Sequence, residues 1–146
     1  MPENERDPLE RDAALSGLNR SLELEARSAL AYAVAAGSLT GMEVQHLRSE
    51  LYGFALRELE DTRRLVEKIV ALGGEPSTKV ATVSFDAEPR KALGKLVRND
   101  EETLDALVEV IQHTGSEAEG EALEHLIEHL LLRKQEQIDF LRRALA

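Results

Sequence analysis

The sequence predicts an all-α protein, a four-helix bundle of two antiparallel hairpins joined by one long crossover. The four prolines are Pro2, Pro8, Pro76 and Pro89, so they lie at the N-terminus or within residues 73–89, and proline interrupts helix interiors. Leu, Ala, Glu and Arg, all good helix formers, dominate the two proline-free spans. Apolar residues recur there at spacings of three and four, which is the period of a helix with one buried face.

The chain begins with a polar segment, MPENERDPLE. We expect residues 1–9 to form a disordered N-terminal tail, because too few apolar side chains are present to hold them in place. Residues 10–146 are then one helical-bundle domain, which agrees with a total length of 146 residues.

The first hairpin is predicted to contain helices at about 10–37 and 42–72. Gly41 marks the break between them, and Thr40 with Glu43 three residues later has the spacing of a capping box. The short connection makes the two helices antiparallel neighbours.

A long crossover is predicted between Gly73 and Glu88. Gly73-Gly74 followed by Pro76 is a helix stop signal. Residues 80–85 alternate apolar and polar side chains, as an extended segment does. A linker of this length can run along the whole bundle.

The second hairpin is predicted to contain helices at about 88–114 and 117–145. Gly115 marks the stop between them, and Ser116 with Glu119 has the spacing of a second capping box.

Polar side chains interrupt the inward-facing row of each helix near its midpoint. They are Glu25 in the first helix, Glu58 and Asp61 in the second, Glu101 in the third, and Lys134 with Gln137 in the fourth. Midpoints meet in an antiparallel bundle, and uncompensated buried carboxylates cost several kcal/mol. A divalent cation, a lysine or proton uptake would each compensate them, and the pattern does not choose among the three.

A simpler interpretation applies to any single one of these positions. In a chain with 32% charged residues, a Glu on a helix seam often reaches water at the boundary of the core. The coincidence at mid-height on several helices favours a specific polar centre.

Two stretches resemble the ferritin-like superfamily, and bacterioferritin-type chains in particular. Leu18-Asn-Arg-Ser-Leu-Glu-Leu-Glu25 through Tyr32 resembles the first helix of such proteins. Glu58-Leu-Glu-Asp61 through Ile69-Val-Ala-Leu-Gly-Gly-Glu-Pro76 resembles the second helix and its ending. The resemblance implies a di-iron centre held by one Glu from each of two helices and a Glu-x-x-His from each of the other two.

The resemblance assigns metal ligands residue by residue. It implies a degenerate metal centre, in which some of the family's ligands are replaced by other residues. Glu25 and Glu58 match ligand positions, and Asp61 stands in the place of a His. The third-helix candidate is Glu101, with Asp100 and Glu102 as alternatives if the register differs. In the fourth helix, Lys134-Gln-Glu-Gln137 replaces the Glu-x-x-His.

These replacements limit the cofactor that the resemblance implies. The Lys134 ammonium can take the space of one ion and pair with Glu25, Glu58, Asp61 or Glu101. At most about one iron or manganese ion per chain remains, and ferroxidase-type activity is in doubt. We expect no haem, because Leu59 occupies the position of the family's haem-ligating Met.

A second candidate metal site lies in the fourth helix. His125-Leu-Ile-Glu128-His129 matches the short H-x-x-E-H string of a zinc peptidase class. The string arises easily by chance in a helix, so we expect these side chains to lie on the surface.

Composition excludes several classes of partner. With 28 acidic and 18 basic residues and a net charge of −10, the chain is not expected to bind nucleic acid. Cysteine is absent, which excludes disulfides and thiolate metal sites. We expect no membrane partner, a cytoplasmic location, and a homodimer or higher homo-oligomer. The candidate interface is the outer row of the second helix, Tyr52, Leu56, Leu59 and Val66, and the alternative is that this row packs inside the bundle.

Two functions remain open from the sequence. The first is a ferritin-like protein with a degenerate metal centre, related to iron oxidation or storage or to oxidative-stress handling. The alternative is a non-catalytic scaffold or interaction protein in which a Lys134–carboxylate salt-bridge network replaces the metal site.

Overall fold

The computed structural model describes residues 6–146 and confirms the predicted all-helical bundle. Its helices are α1 (Arg11–Ser38), α2 (Met42–Gln45), α3 (Arg48–Ala71), α4 (Pro89–Ile111) and α5 (Ala118–Leu145). Helix α1 packs against α3 and α4, and α5 packs against α4. Helices α3 and α5 are also in contact.

The helix spans 10–37 and 117–145 were predicted to within one residue at each end. The span 42–72 is divided by a tight turn, in which the Leu47 N–H bonds the Val44 carbonyl at 2.9 Å. The span 88–114 ends early, at Ile111, and residues 112–114 form turns.

The stop signal at Gly73-Gly74 is confirmed in atomic detail. The Gly73 N–H bonds the Val70 carbonyl at 2.9 Å and the Gly74 N–H bonds the Ile69 carbonyl at 2.8 Å. This is the Schellman arrangement, which needs a left-handed residue just past the helix end. Gly73 takes that conformation with φ 83°, where a side chain would be strained.

Both predicted capping boxes are wrong. The N-cap residue of α2 is Gly41, which has no side chain, and not Thr40. The N-cap residue of α5 is Glu117 and not Ser116, and the Glu117 side chain makes no capping hydrogen bond. The Ser116 hydroxyl instead accepts a hydrogen bond from the Asp7 N–H at 2.9 Å, because the N-terminal segment crosses this loop. Sequence reasoning missed the cap that does form, in which the Glu88 carboxylate accepts from two backbone N–H groups of the first turn of α4.

The predicted N-terminal tail is only partly described. Residues 1–5 lie outside the described residues. Within residues 6–9, the Asp7 carbonyl accepts a hydrogen bond from the Ser116 N–H at 2.8 Å, so this part lies against the α4–α5 loop. The division of the chain at residue 9 stays a prediction.

The crossover, residues 72–88, lies along α1 and contains no β-strand. Asn19 fixes its first part, donating to the Glu75 carbonyl at 3.1 Å and accepting from the Ser77 N–H at 2.7 Å. The Ser77 hydroxyl bonds Glu23 at 2.8 Å, and the Ala81 N–H bonds the Glu23 carbonyl at 3.2 Å. Side chains of α1 thus hold the linker in place of a sheet partner.

The apolar core is split into two halves by a layer of polar side chains. One half contains Tyr32, Phe54, Leu96 and Leu141 among others. The other contains Leu18, Leu65, Leu107 and Leu130 among others. The buried polar residues between them come from all four long helices, at the height where the sequence predicted a polar centre.

Candidate metal centre

Three predicted ligands meet in the polar layer. Glu25 and Glu58 are 0% exposed and Asp61 is 2% exposed. Each offers one carboxylate oxygen, and these oxygens all lie within 4.8 Å of one another. The helix geometry that brings them together is the one the seam pattern predicted, and their role as metal ligands stays a prediction.

Lys134 points into the same cluster from α5. Its side chain is 1% exposed, and its ammonium contacts Glu58 directly. The Nζ atom lies 3.3 Å from Oε1 of Glu25 and 3.5 Å from Oδ1 of Asp100. The sequence predicted the first two pairings, while the third partner is Asp100 and not Asp61 or Glu101.

The expectation that Glu101 faces the core is wrong. Its side chain is 48% exposed and pairs with Arg142 at 3.3 Å. Glu102 is also at the surface, where it pairs with Arg20 at 2.9 Å. The inward residue is Asp100, which is 0% exposed, as the register alternative had allowed.

The physical reason lies in the way α4 is rotated about its axis. An inward-facing row through Glu101 would continue, two turns later, to Val108, which is 43% exposed. The buried row passes instead through Leu96, Asp100, Thr103 and Leu107. A helix that packs on both α1 and α5 buries apolar residues on two flanks, so the most apolar row is not the central one.

Asp100 is held by hydrogen bonds from two other helices. The hydroxyls of Tyr32 and Ser28, both on α1, donate to its carboxylate, the second at 3.4 Å. The Gln137 amide, on α5, donates to Oδ2 of Asp100 at 3.5 Å and also to Glu58. The sequence placed Gln137 on the inward-facing row of its helix but did not indicate that Asp100 is its partner.

Arg133 is a contact that sequence reasoning missed. Its Nε atom lies 3.1 Å from Oδ1 and 3.3 Å from Oδ2 of Asp61, and its side chain is 25% exposed. The sequence contained little indication of this contact. Arg133 is next to the inward-facing Lys134, and consecutive helix residues do not share a face, so Arg133 would be expected to face solvent.

Burial and neighbouring charges move the pKa values of these carboxyls in different directions. Burial, then the charge of Glu58, raises the pKa of Glu25 well above its ordinary value. Burial also acts upward on Glu58, but the Lys134 ammonium and hydrogen bonds bring its pKa below the usual value. Burial raises the pKa of Asp61, and it raises that of Asp100 to about 6.

Several carboxylate oxygens in the cluster have no hydrogen-bond partner. They are both oxygens of Glu25, Oε2 of Glu58 and Oδ1 of Asp61. Two of these four already lie beside a cation, since Oε1 of Glu25 is 3.3 Å from Nζ of Lys134 and Oδ1 of Asp61 is 3.1 Å from Nε of Arg133. Buried polar atoms are normally satisfied, and an unpaired one costs about 1–3 kcal/mol, more when it is charged. The three residues that carry these atoms are the three whose oxygens meet within 4.8 Å.

The histidine pair of α5 lies outside this centre. The side chain of His125 is 89% exposed, and its Nδ1 lies 3.8 Å from Glu128. His129 is exposed as well. Their surface location agrees with the expectation from the sequence.

Comparison with known proteins adds the family. The ferritin-like domain matches residues 15–146. This chain belongs to the ferritin-like family. No curated protein matches this chain in sequence.

A solved structure with the same fold is a ferritin-like, diiron-carboxylate protein from Bacillus anthracis str. Ames. It is 22% identical in sequence, with a TM-score of 0.84, and the match covers 94% of this chain and 98% of that one. At this level of sequence identity, the structural similarity shows that the two proteins share a fold. Among the described residues, no helix is long and apolar enough to cross a bilayer.

The ferritin-like fold implies a metal centre, and the side chains present fit one ion better than two. The Lys134 ammonium lies within 3.5 Å of carboxylate oxygens of Glu25, Glu58 and Asp100. A second cation held by the same three groups would be repelled by this buried positive charge. Glu25, Glu58 and Asp61, whose oxygens lie within 4.8 Å of one another, fit a single ion.

Proposed function

We propose that this ferritin-like protein binds one divalent transition-metal ion per chain, Fe(II) or Mn(II), through Glu25, Glu58 and Asp61. Lys134 takes the place of a second ion and makes the centre mononuclear. Glu101, predicted as a fourth ligand, is not included, since it is at the surface.

The observation that carries this proposal is a set of buried carboxylate oxygens that accept no hydrogen bond. Four buried carboxylate oxygens of Glu25, Glu58 and Asp61 accept no hydrogen bond. A cation is the partner that satisfies several carboxylates at once, whereas one proton satisfies only one or two of these atoms.

The charge balance supports a single ion. Glu25, Glu58, Asp61 and Asp100 carry four negative charges when ionised, and the enclosed Lys134 supplies one positive charge. A single divalent cation would reduce the remaining three negative charges to one, whereas two would leave an excess of positive charge in a buried layer. Burial, and then the negative charge of Glu58, raises the pKa values of Glu25 and Asp100.

The ligand chemistry narrows the ion. Carboxylate oxygens suit Mg, Mn and Fe(II), and the centre has no thiolate or imidazole that would select zinc or copper. Bound iron or manganese would supply one-electron redox chemistry, in line with a role in iron oxidation or storage or in oxidative-stress handling. A two-iron ferroxidase reaction is not proposed.

A titration with Mn(II) followed by electron paramagnetic resonance tests the proposal, because free Mn(II) gives a strong signal that is lost on binding. We expect saturable uptake by the wild type and none by Glu58→Gln, which removes a ligand charge with little change in shape. Glu101→Gln is the matched control, since this neighbouring acidic residue is at the surface. Equal binding by wild type and Glu58→Gln would refute the proposed site.

The alternative is a metal-free helical-bundle scaffold or interaction protein. The observation that favours it is the Lys134 network, which already places a positive charge between Glu25, Glu58 and Asp100. In that case, the wild type takes up no Mn(II) and the unpaired oxygens share protons instead, as the raised pKa of Glu25 allows.

We also propose that the chain forms a homodimer through the outer face of α3. Tyr52, Leu56 and Leu59 are 51–60% exposed and lie at a helical spacing that puts them on one face. Val66, the fourth member of the predicted row, is half-buried and packs against the core, so it is not part of this face.

A further inference from the structure

Two consecutive basic residues of α5 contact the centre in different ways. The side chain of Lys134 is 1% exposed and lies between carboxylates of three other helices. The side chain of Arg133 is 25% exposed and contacts only Asp61 in the centre. One cation is therefore enclosed, while the other lies at the edge.

Asp61 is the ligand candidate nearest to solvent. It is 2% exposed, against 0% for Glu25 and Glu58. It lies where α3 faces α5, the helix that carries Arg133. The guanidinium of Arg133 covers it there, with Nε at 3.1 Å from Oδ1.

Arg133 and a metal ion compete for the same carboxylate. The Nε atom of Arg133 donates a hydrogen bond to Oδ2 of Asp61 at 3.3 Å and lies 3.1 Å from Oδ1, so the guanidinium contacts both oxygens that an ion could bind. A guanidinium and a divalent ion at one carboxylate repel each other strongly where solvent is excluded. Arg133 can relieve this repulsion, because a long side chain that is already partly exposed can turn its charged end into water.

We infer that Arg133 gates the metal centre: its guanidinium covers Asp61 on the α3–α5 side and turns into solvent when an ion is captured. Lys134 stays in place and sets the number of ions, whereas Arg133 controls how fast an ion reaches Asp61. This inference rests on the proposed single-ion site.

The gate predicts a specific kinetic effect of Arg133→Gln. Without the guanidinium, Co(II), an air-stable substitute for Fe(II), should associate about tenfold faster and bind more tightly. Arg133→Lys keeps the positive charge and should associate at a rate close to that of the wild type. Arg57→Gln is the matched control, because Arg57 pairs with Glu136 at 3.5 Å on the same pair of helices and not with a carboxylate of the centre.

The experiment measures the release of Co(II) to a chromophoric chelator by stopped-flow absorbance, and the dissociation constant by competition. Their ratio gives the association rate constant. Circular dichroism and thermal unfolding verify that each variant is folded.

Each outcome decides the inference. Faster association in Arg133→Gln alone supports the gate. An unchanged rate in Arg133→Gln, or an equal gain in Arg57→Gln, overturns it. Weaker binding by Arg133→Gln also overturns it, since Arg133 would then position Asp61. If wild-type protein retains no Co(II) in equilibrium dialysis, the single-ion site itself fails and the gate fails with it.

Discussion

The Nζ atom of Lys134 lies 3.3 Å from Oε1 of Glu25, and both side chains are sealed from solvent. The lysine comes from α5 and the glutamate from α1, at opposite ends of the chain. Their contact fixes a positive charge in the polar layer that divides the core. We propose that this charge limits how many further cations the layer can accept.

Lys134→Met tests the structural role of that charge. Removing the ammonium leaves Glu25, Glu58 and Asp100 uncompensated, and breaking a buried ion pair costs about 3 kcal/mol or more. We expect the free energy of unfolding of the metal-free protein, measured in urea with a chelator present, to fall by that amount. Lys91→Met, on the exposed surface of α4, is the control and should change it little.

Mn(II) should partly restore the stability of Lys134→Met, because the ion supplies the missing positive charge. If Lys134→Met is as stable as the wild type without metal, the lysine is not the compensating group.

Lys134→Glu tests the control of ion number. The substitution replaces the ammonium with a further carboxylate, so we expect the number of Fe(II) ions bound per chain to rise. The free energy of unfolding without metal should fall further than in Lys134→Met, because like charges then meet in the core. Elemental analysis of the wild type and variant side by side measures the change, and an unchanged number of ions would show that Lys134 does not limit binding.

The pH dependence of stability reports on Asp100. Burial raises its pKa from 3.8 to about 6, so the folded state holds a proton that the unfolded chain releases between these values. Stability of the metal-free protein should therefore increase as pH falls from about 7 to about 4, with about 3 kcal/mol as the upper limit for this group.

Asp100→Asn removes that titration and should flatten the dependence, as measured by urea unfolding across the same pH range. The slope that remains includes Glu25 and Asp61, whose raised pKa values act in the same direction, and Glu58, whose lowered pKa acts in the opposite direction. An Asp100→Asn variant with the same pH dependence of stability as the wild type would contradict the assignment.

The outer face of α3 gives a prediction on assembly. Leu59→Glu places a charge on the proposed dimer contact and should shift the protein from dimer to monomer in light scattering after size exclusion. Leu132→Glu is the control, because Leu132 on α5 is equally exposed, at 60%. If both variants or neither of them dissociate, this face is not the interface.

The sequence was sufficient for the fold and for part of the centre. Glu25, Glu58 and Lys134 each interrupt a strongly apolar row, so their inward direction and their meeting followed from helical period alone. The rotation of α4 could not be derived in this way. Three acidic residues, Asp100, Glu101 and Glu102, follow one another there, and packing on two neighbouring helices decides which of them is buried.

Contacts that depend on the conformation of long side chains or on tertiary structure could not be predicted from the sequence either. Arg133 pairs with Asp61 although it adjoins the inward-facing Lys134. The Ser116 hydroxyl bonds Asp7 and does not cap α5, because the position of the N-terminal segment is set by tertiary structure.

Metal stoichiometry is the most direct test of the single-ion centre. The protein would be loaded with Fe(II) in air, or with Mn(II), desalted and assayed by elemental analysis. We predict close to one ion per chain, lost in Glu58→Gln and retained in Glu101→Gln. Two ions per chain would contradict the role assigned to Lys134, and no bound ion under either condition would refute the metal centre and favour the salt-bridged scaffold.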